Sequence, residues 1–214
     1  MKIEIWSDIM CPFCYIGKRN FESALKQFAH AEDLVIEWKS FQLDPDMAEV
    51  PEYQDDLYRY LADRKGFSYE ESKAMHDNVV QYAKSVGLEY NFDRALVTNS
   101  MKGHRIIQMA KMKGLGDEAE ERLFRAYFTD GKNLNDIETL VDLGKEIGLT
   151  EGEVNEALSN PIYMEKAEND SKEGAMLGLT GVPFFVVDRK YAIVGAQPPA
   201  VMLQTLDKAF DSVE

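Results

Sequence analysis

The only two cysteines of this chain, Cys11 and Cys14, stand close together near its start, with Pro12 and Phe13 between them. Two thiols at this spacing can cycle between a dithiol and a disulfide, supply part of a metal site, or pack as small hydrophobic side chains. A proline between them, where a strand gives way to a helix, argues against a chance pair of core cysteines. The spacing therefore predicts redox chemistry.

The elements on either side of the pair explain why it is suited to that chemistry. Residues 2–7 alternate between apolar and polar as a strand does, and apolar residues then recur at helical spacing to about Ala31. Cys11 is predicted near the N-cap, and Pro12 at the first helical position, where its missing N–H costs nothing. The free amide groups there favour a thiolate at Cys11. Cys14, one turn later and more buried, can resolve a mixed disulfide.

A metal site is the main alternative use of two thiolates. A structural zinc site needs more protein ligands than this pair supplies. The three histidines, His30, His76 and His104, are scattered along the chain, so zinc would require a second chain. We therefore expect no metal.

A second motif stands late in the chain. Residues 180–183, Thr-Gly-Val-Pro, precede a predicted strand at 184–187, and a proline at the first residue of a strand is tolerated. An X–Pro bond in this position can be cis, and the upstream cysteine motif strengthens that prediction for Pro183. A turn at 188–190, a strand at 191–194 and a helix from about Pro199 to Phe210 follow.

The middle of the chain has a different sequence pattern from its two ends. Residues 34–41 predict a second strand, parallel to the first, but no strand pattern follows between Asp44 and Leu177. Helix signals recur there instead. They are capping boxes at Ser68 with Glu71 and Thr150 with Glu153, N-cap candidates at Asn99, Asp117 and Asn135, and terminating glycines at 87, 114, 131, 148 and 178. We predict a helical subdomain, residues 44–178, inserted into a domain of residues 1–43 and 179–214.

Charge and composition exclude several functions. The chain of 214 residues carries 38 acidic and 24 basic side chains, a net charge of −14, which disfavours binding to nucleic acid. No apolar run approaches the roughly 20 residues of a membrane helix. The start lacks the pattern of a signal peptide, so we expect a cytoplasmic protein, where a close cysteine pair is more often catalytic than structural.

In combination, these motifs carry a family resemblance. The segments WSDIMCPFCYIGK, FQLDP at 41–45 and GVPFFVVDRKYAIVGAQP at 181–198 resemble the thioredoxin superfamily, its DsbA branch and, within that, the FrnE-like subfamily. The relatives of that subfamily include kappa-class glutathione transferases and 2-hydroxychromene-2-carboxylate isomerases. The resemblance implies an α/β, thioredoxin-like fold with a large all-helical insertion, as in DsbA.

The resemblance also implies roles for the active-site residues. Cys11 matches the attacking cysteine, Cys14 the resolving cysteine, and Pro183 the cis-proline beside them. Val182 matches the residue whose backbone pairs with a bound substrate strand. A buried acid often lies beneath such cysteines. Glu4 is the candidate here, unless the register places Ile5 there and the acid is missing.

Further residues are expected to contact the substrate. Pro12 and Phe13 are among them, and Phe13 would form an apolar rim with Met10, Val182 and Phe184. The resemblance places Asn99 and His104 on an inserted helix facing the cleft, where His104 is either a polar contact or a structural histidine. Gly195 and Gln197 belong to a turn near which glutathione would bind.

The leading functional hypothesis is a cytosolic thiol–disulfide oxidoreductase that acts on peptide or small-molecule thiols and disulfides. Cys11 would form the mixed disulfide, which Cys14 or glutathione would resolve. We expect no tightly bound cofactor, glutathione as a co-substrate, and a homodimer from the resemblance. The first alternative is a glutathione-dependent transferase or isomerase of a small aromatic compound, and the second is a binding module with inert cysteines.

Overall fold

The computed structural model describes residues 1–212. These residues form one four-stranded mixed sheet. The strands are β1 (Lys2–Ser7), β2 (Val35–Ser40), β3 (Phe184–Val187) and β4 (Tyr191–Val194), in the order β2-β1-β3-β4. The pair β1–β2 is parallel, as predicted, and the other two pairs are antiparallel. β1 is therefore central, and its end delivers the chain to the cysteine motif.

The described part of the chain also contains nine α-helices. All regular secondary structure between residues 44 and 178 is helical, as expected. The helices are α1 (Pro12–Leu25), α2 (Leu57–Lys65), α3 (Tyr69–Ser85), α4 (Met101–Lys111), α5 (Gly116–Arg125), α6 (Ile137–Glu146), α7 (Glu151–Ser159), α8 (Pro161–Met176) and α9 (Pro199–Asp211). A π-helical turn, Ala126–Asp130, continues α5.

Some predicted helix ends are confirmed and others are wrong. Both capping boxes form, with Ser68 and Thr150 as N-caps. The N-cap predictions at Asn99, Asp117 and Asn135 are wrong. The observed N-caps are Ser100, Leu115 and Asp136.

The first helix is shorter than its apolar spacing predicts. It ends at Leu25 instead of near Ala31. Phe28 remains buried after the chain has left the helix, because a turn of the backbone still directs its ring into the core. Apolar residues at helical spacing therefore continue beyond the C-terminal end of the helix itself.

Two hydrophobic cores meet at α1. One core lies between the sheet, α1 and α9, and includes Ile5, Phe21 and Phe185. The larger core lies among the inserted helices, and it includes Cys11 and Cys14 themselves. The cysteine helix is thus packed on both sides, which holds the pair between the sheet and the insertion. The division into two domains stays a prediction.

The helices of residues 1–212 differ from membrane-spanning helices in length or hydropathy. None of these helices is both long and apolar enough to cross a bilayer.

Candidate active site

The amino end of α1 sets the position of the cysteine pair. Cys11 is the N-cap, with extended backbone angles (φ −89°, ψ 110°), and Pro12 occupies the first helical position. The Cys11 amide donates to the Asp8 carbonyl at 2.9 Å, and the Cys14 amide donates to the Cys11 carbonyl at 3.0 Å. Neither thiol is part of a disulfide in this structure.

The two thiols lie in different surroundings. Both cysteines are buried, Cys11 at 4% and Cys14 at 1% exposure, but Cys11 lines a cavity and Cys14 does not. Burial raises the pKa of Cys14 well above its ordinary value, and contact with Cys11 adds to the rise. The nearby Asp8 backbone and Ser7 side chain oppose this effect. Cys11 is thus the sulfur that an incoming group can reach.

The loop before β3 faces Cys11. The Val182–Pro183 peptide bond is cis. The Cys11 thiol donates to the Val182 carbonyl at 3.5 Å, and the Gly195 amide donates to the Pro183 carbonyl at 2.8 Å. The loop is therefore fixed to β4 on one side and lies against the reactive sulfur on the other.

Gly17 on α1 allows this loop to approach. A Cβ atom at Gly17 would lie 2.8 Å from Cγ of Pro183, which is closer than two carbon atoms can pack. We expect Gly17→Ala to cost about 1–3 kcal/mol of folding free energy through overpacking. The variant should also slow disulfide exchange, because Pro183 must shift relative to Cys11. Thermal unfolding and an exchange assay measure both effects.

Gly152→Ala is the matched control for that substitution. A Cβ atom at Gly152 would meet only the Thr150 hydroxyl, at 3.9 Å, in a helix far from the cysteines in sequence. This variant should gain roughly 0.5–1 kcal/mol from the higher helix propensity of alanine. Equal changes of folding free energy and of exchange rate in Gly17→Ala and Gly152→Ala would show that the close contact between residue 17 and Pro183 affects neither quantity.

A cavity of about 370 Å³ opens beside Cys11, between α1 and the inserted helices α2 and α3. This volume lies in the range of small-ligand sites. Its walls are largely apolar and aromatic. They comprise Met10, Cys11, Pro12, Phe13, Leu43, Asp44, Leu57, Tyr60, Leu61, Arg64, Lys65, Met75, His76, Val79, Phe92, Tyr127, Phe128 and Val182.

The cavity is also lined by polar and ionisable side chains. Arg64 and Tyr60 both contact the Asp44 carboxylate, and the Tyr60 hydroxyl donates to it at 2.7 Å. Lys65 adds a second cation to the lining. Burial lowers the pKa of His76, so its ring is neutral at pH 7. The cavity thus combines an apolar interior with two cationic side chains, Arg64 and Lys65, and with the Asp44 carboxylate that pairs with Arg64.

Four of the predicted substrate contacts do not line this cavity. Asn99 precedes α4 instead of lying on it, and its side chain bonds to the Met47 carbonyl and to the Met101 amide. His104 lies on α4 but is fully buried. The Gly195 amide donates to the Pro183 carbonyl, and Gln197 bonds to Gly195 and Val194 in the turn after β4. By contrast, the structure brings Pro12, Phe13 and Val182 together around Cys11.

The acid predicted beneath the cysteines is also in a different place. Glu4 is buried, but its carboxylate is held by Arg189, with Lys2 at 3.4 Å and Lys39 at 3.9 Å. It has no bond to either cysteine. Glu120 on α5, which sequence reasoning missed, is fully buried, and it accepts a hydrogen bond at 3.3 Å from the Ser7 hydroxyl at the end of β1.

The chain was compared with known protein families and structures. A model of the DSBA-like thioredoxin domain matches residues 2–207. The uncharacterized protein YwbO of Bacillus subtilis is 27% identical over 191 residues, with 86% of each chain covered. The crystal structure of a probable DsbA oxidoreductase, SCO1869 of Streptomyces coelicolor, is 38% identical with a TM-score of 0.92, covering 99% of this chain and 90% of that chain.

A more distant structure shares the fold. The cytosolic disulfide reductase DsbM of Pseudomonas aeruginosa has a TM-score of 0.69 at 18% identity, with 99% of each chain covered. The predicted thioredoxin-like fold with a helical insertion is confirmed by the family match and by the strand order. The chain belongs to the DSBA-like thioredoxin domain family and is a disulfide oxidoreductase.

Proposed function

We propose that the chain exchanges disulfides through a mixed disulfide at Cys11, which Cys14 resolves. The observation that carries this proposal is the asymmetry of the pair: Cys11 opens on the cavity, and Cys14 is enclosed in contact with it. A substrate disulfide can reach Cys11 first and Cys14 only from within. Direct attack of Cys14 on an external disulfide is blocked by its surroundings.

Glutathione is the co-substrate that we propose, either as the disulfide that is reduced or as the thiol that releases the enzyme. A structure of the distant fold relative DsbM was determined with GSH. In the present chain, Arg64 and Lys65 stand at the cavity beside Cys11, where they would attract the carboxylates of such a peptide. The apolar walls would accept small hydrophobic thiols equally well.

We also propose a cytosolic location. Both cysteines of the chain belong to the site, so no other cysteine remains for a structural disulfide. Such disulfides are typical of secreted proteins. DsbM, which shares the fold, is described as cytosolic. The homodimer stays a prediction, which sedimentation of the purified chain would test.

Trapping the mixed disulfide tests the proposed function. Cys14→Ala leaves Cys11 without its resolving partner, so oxidised glutathione should leave one glutathionyl group on Cys11, seen by mass spectrometry of the intact chain. The wild type should instead accumulate the internal disulfide. Cys11→Ala is the control, and it should gain no adduct. Adducts of equal yield in the Cys11→Ala and Cys14→Ala proteins would contradict the order of attack.

A further inference from the structure

The turn after β4, residues 195–197, is held by side chains from two helices that are distant in the chain. Asn20 lies on α1 and is only 3% exposed, and Tyr82 lies on the inserted helix α3. Nδ2 of Asn20 donates to the Gln197 carbonyl at 3.0 Å and to the Ala196 carbonyl at 3.4 Å. The Tyr82 hydroxyl donates to the same Ala196 carbonyl at 3.1 Å. The turn is therefore bonded to both helices.

The two side chains are matched to these partners. Carbonyl oxygens only accept hydrogen bonds, so the part of the Asn20 side chain that faces them has to be the NH₂ group. Nδ2 of Asn20 also donates to the Tyr82 hydroxyl oxygen at 3.3 Å, while that hydroxyl donates to Ala196. Asparagine is mostly an exposed residue. Its burial on α1 is stabilised here by its bonds to the turn and to α3.

The turn supports the cis-proline loop. The Gly195 amide donates to the Pro183 carbonyl at 2.8 Å, at the end of the β3–β4 pairing. The Val182 carbonyl, one residue before Pro183, accepts from the Cys11 thiol at 3.5 Å. A shift of the turn would therefore pass to the loop that faces the reactive sulfur.

Tyr82 also contacts the segment between the two cysteines. Its ring lies 6.5 Å from the Phe13 ring, between centroids, in a tilted arrangement that is favourable for two aromatic rings. Phe13 and Val182 both line the cavity beside Cys11. Tyr82 thus pairs with one lining residue through its ring and supports the other through its hydroxyl and the turn.

We propose that Asn20 and Tyr82 are positioning residues for disulfide exchange. They fix the turn at 195–197 and, through it, the place of the Val182–Pro183 loop relative to Cys11. This proposal rests on the proposed function, since the loop is the edge against which a disulfide would lie when Cys11 attacks it. Neither side chain lines the cavity or is bonded to a cysteine within residues 1–212, so the effect is exerted through the turn.

Two substitutions remove these bonds with little change of shape. Asn20→Asp replaces the donating amide by a carboxylate, whose oxygens repel the turn carbonyls. Tyr82→Phe removes the hydroxyl and keeps the ring against Phe13. Both are made in the Cys14→Ala protein, where attack of the Cys11 thiolate on oxidised glutathione leaves one glutathionyl group on Cys11 and releases one glutathione thiolate. Acid quenching and mass spectrometry of the intact chain give the rate.

Adduct formation should slow by about tenfold in Asn20→Asp. A displacement of about 1 Å can cost a positioned reaction roughly a hundredfold, and the turn keeps its other bonds. Tyr82→Phe should slow the reaction less, because Asn20 still bonds to both carbonyls. Alkylation of Cys11 by iodoacetamide should not slow in either variant, since this small reagent does not need the loop as an edge.

Hydrogen exchange at the Gly195 amide separates positioning from a general loss of stability. This amide is bonded to the Pro183 carbonyl, so its exchange, followed by NMR, should accelerate in both variants. The Phe41 amide donates to the Ser7 carbonyl at 2.9 Å in the other half of the sheet, and it should exchange as in the parent protein.

Matched controls make the same chemical changes elsewhere. Asn155→Asp adds a carboxylate at an exposed asparagine on α7, and Tyr69→Phe removes the hydroxyl of an exposed tyrosine on α3. Both should form the glutathionyl adduct at the rate of the parent Cys14→Ala protein.

Three outcomes would overturn the proposal: adduct formation at the parent rate in Asn20→Asp, equal slowing of adduct formation and alkylation, or unchanged exchange at the Gly195 amide. Thermal unfolding shows whether each variant is folded. If Asn20→Asp is not, Tyr82→Phe is tested by the same two reactions and the same amide. Failure of the proposed function looks different, because the parent Cys14→Ala protein itself would then gain no glutathionyl group.

Discussion

Cys11→Ser is expected to reduce disulfide exchange to the uncatalysed level. A serine hydroxyl cannot form the mixed disulfide, and Cys14 cannot replace it, because Cys14 is enclosed and its thiol pKa is raised by burial. Reduction of oxidised glutathione, followed through a coupled assay, measures the loss. Met112→Leu, a change at an exposed side chain, should leave the rate unaltered.

The same variant separates the two enzymatic hypotheses. A glutathione transferase or isomerase that needs only a polar group at position 11 would retain turnover of an aromatic substrate in Cys11→Ser. An oxidoreductase would lose its activity. Retained disulfide exchange in Cys11→Ser would contradict the assignment of Cys11 as the attacking residue.

Trp6→Ala is expected to cost about 3–5 kcal/mol of folding free energy, the range for removing a large aromatic side chain from a core. The Trp6 ring is fully buried and lies 6.1 Å from the Phe184 ring, between centroids. Its indole Nε1 donates to the Asp170 carbonyl on α8 at 2.6 Å. This side chain thus joins the central strand to an inserted helix, and its removal leaves a cavity and breaks that hydrogen bond.

Urea unfolding tests that expectation. The midpoint should fall, with little change in the slope, if stability alone is altered. Trp6→Phe keeps most of the packing and loses only the hydrogen bond, so its cost should be smaller. Val201→Ala, at an exposed position, is a control for side-chain truncation. A loss under about 1 kcal/mol in Trp6→Ala would contradict the packing described for this residue.

The parts of the fold that the sequence predicted are those with short-range signals. Alternation identified β1, and the spacing of Ser68 and Glu71 identified a capping box, because the groups that interact are neighbours in the chain. Helix ends were less reliable. Asn99 was a plausible cap, yet it lies one residue before the true N-cap, while its side chain still accepts a bond from the Met101 amide.

The site was predicted in part for the same reason. Cys11, Cys14 and Pro183 belong to local motifs, whereas the acid beneath them depends on packing between distant elements. Glu4 was a reasonable candidate because it lies on β1, but its carboxylate forms an ion pair with Arg189 from the turn between β3 and β4. A signal for Glu120 did exist, since it falls on the buried stripe of α5 with Leu123, where a carboxylate is unexpected.

The central claim is that Cys11 and Cys14 form one reversible redox couple. Equilibration of the wild type across a series of glutathione redox buffers, followed by acid quenching and mass spectrometry, tests it most directly. The peptide from Ile3 to Lys18 contains both cysteines. We predict a single two-electron transition between its dithiol and internal disulfide forms. A peptide that stays fully reduced, or that gains only separate glutathionyl adducts on each cysteine, would contradict the claim.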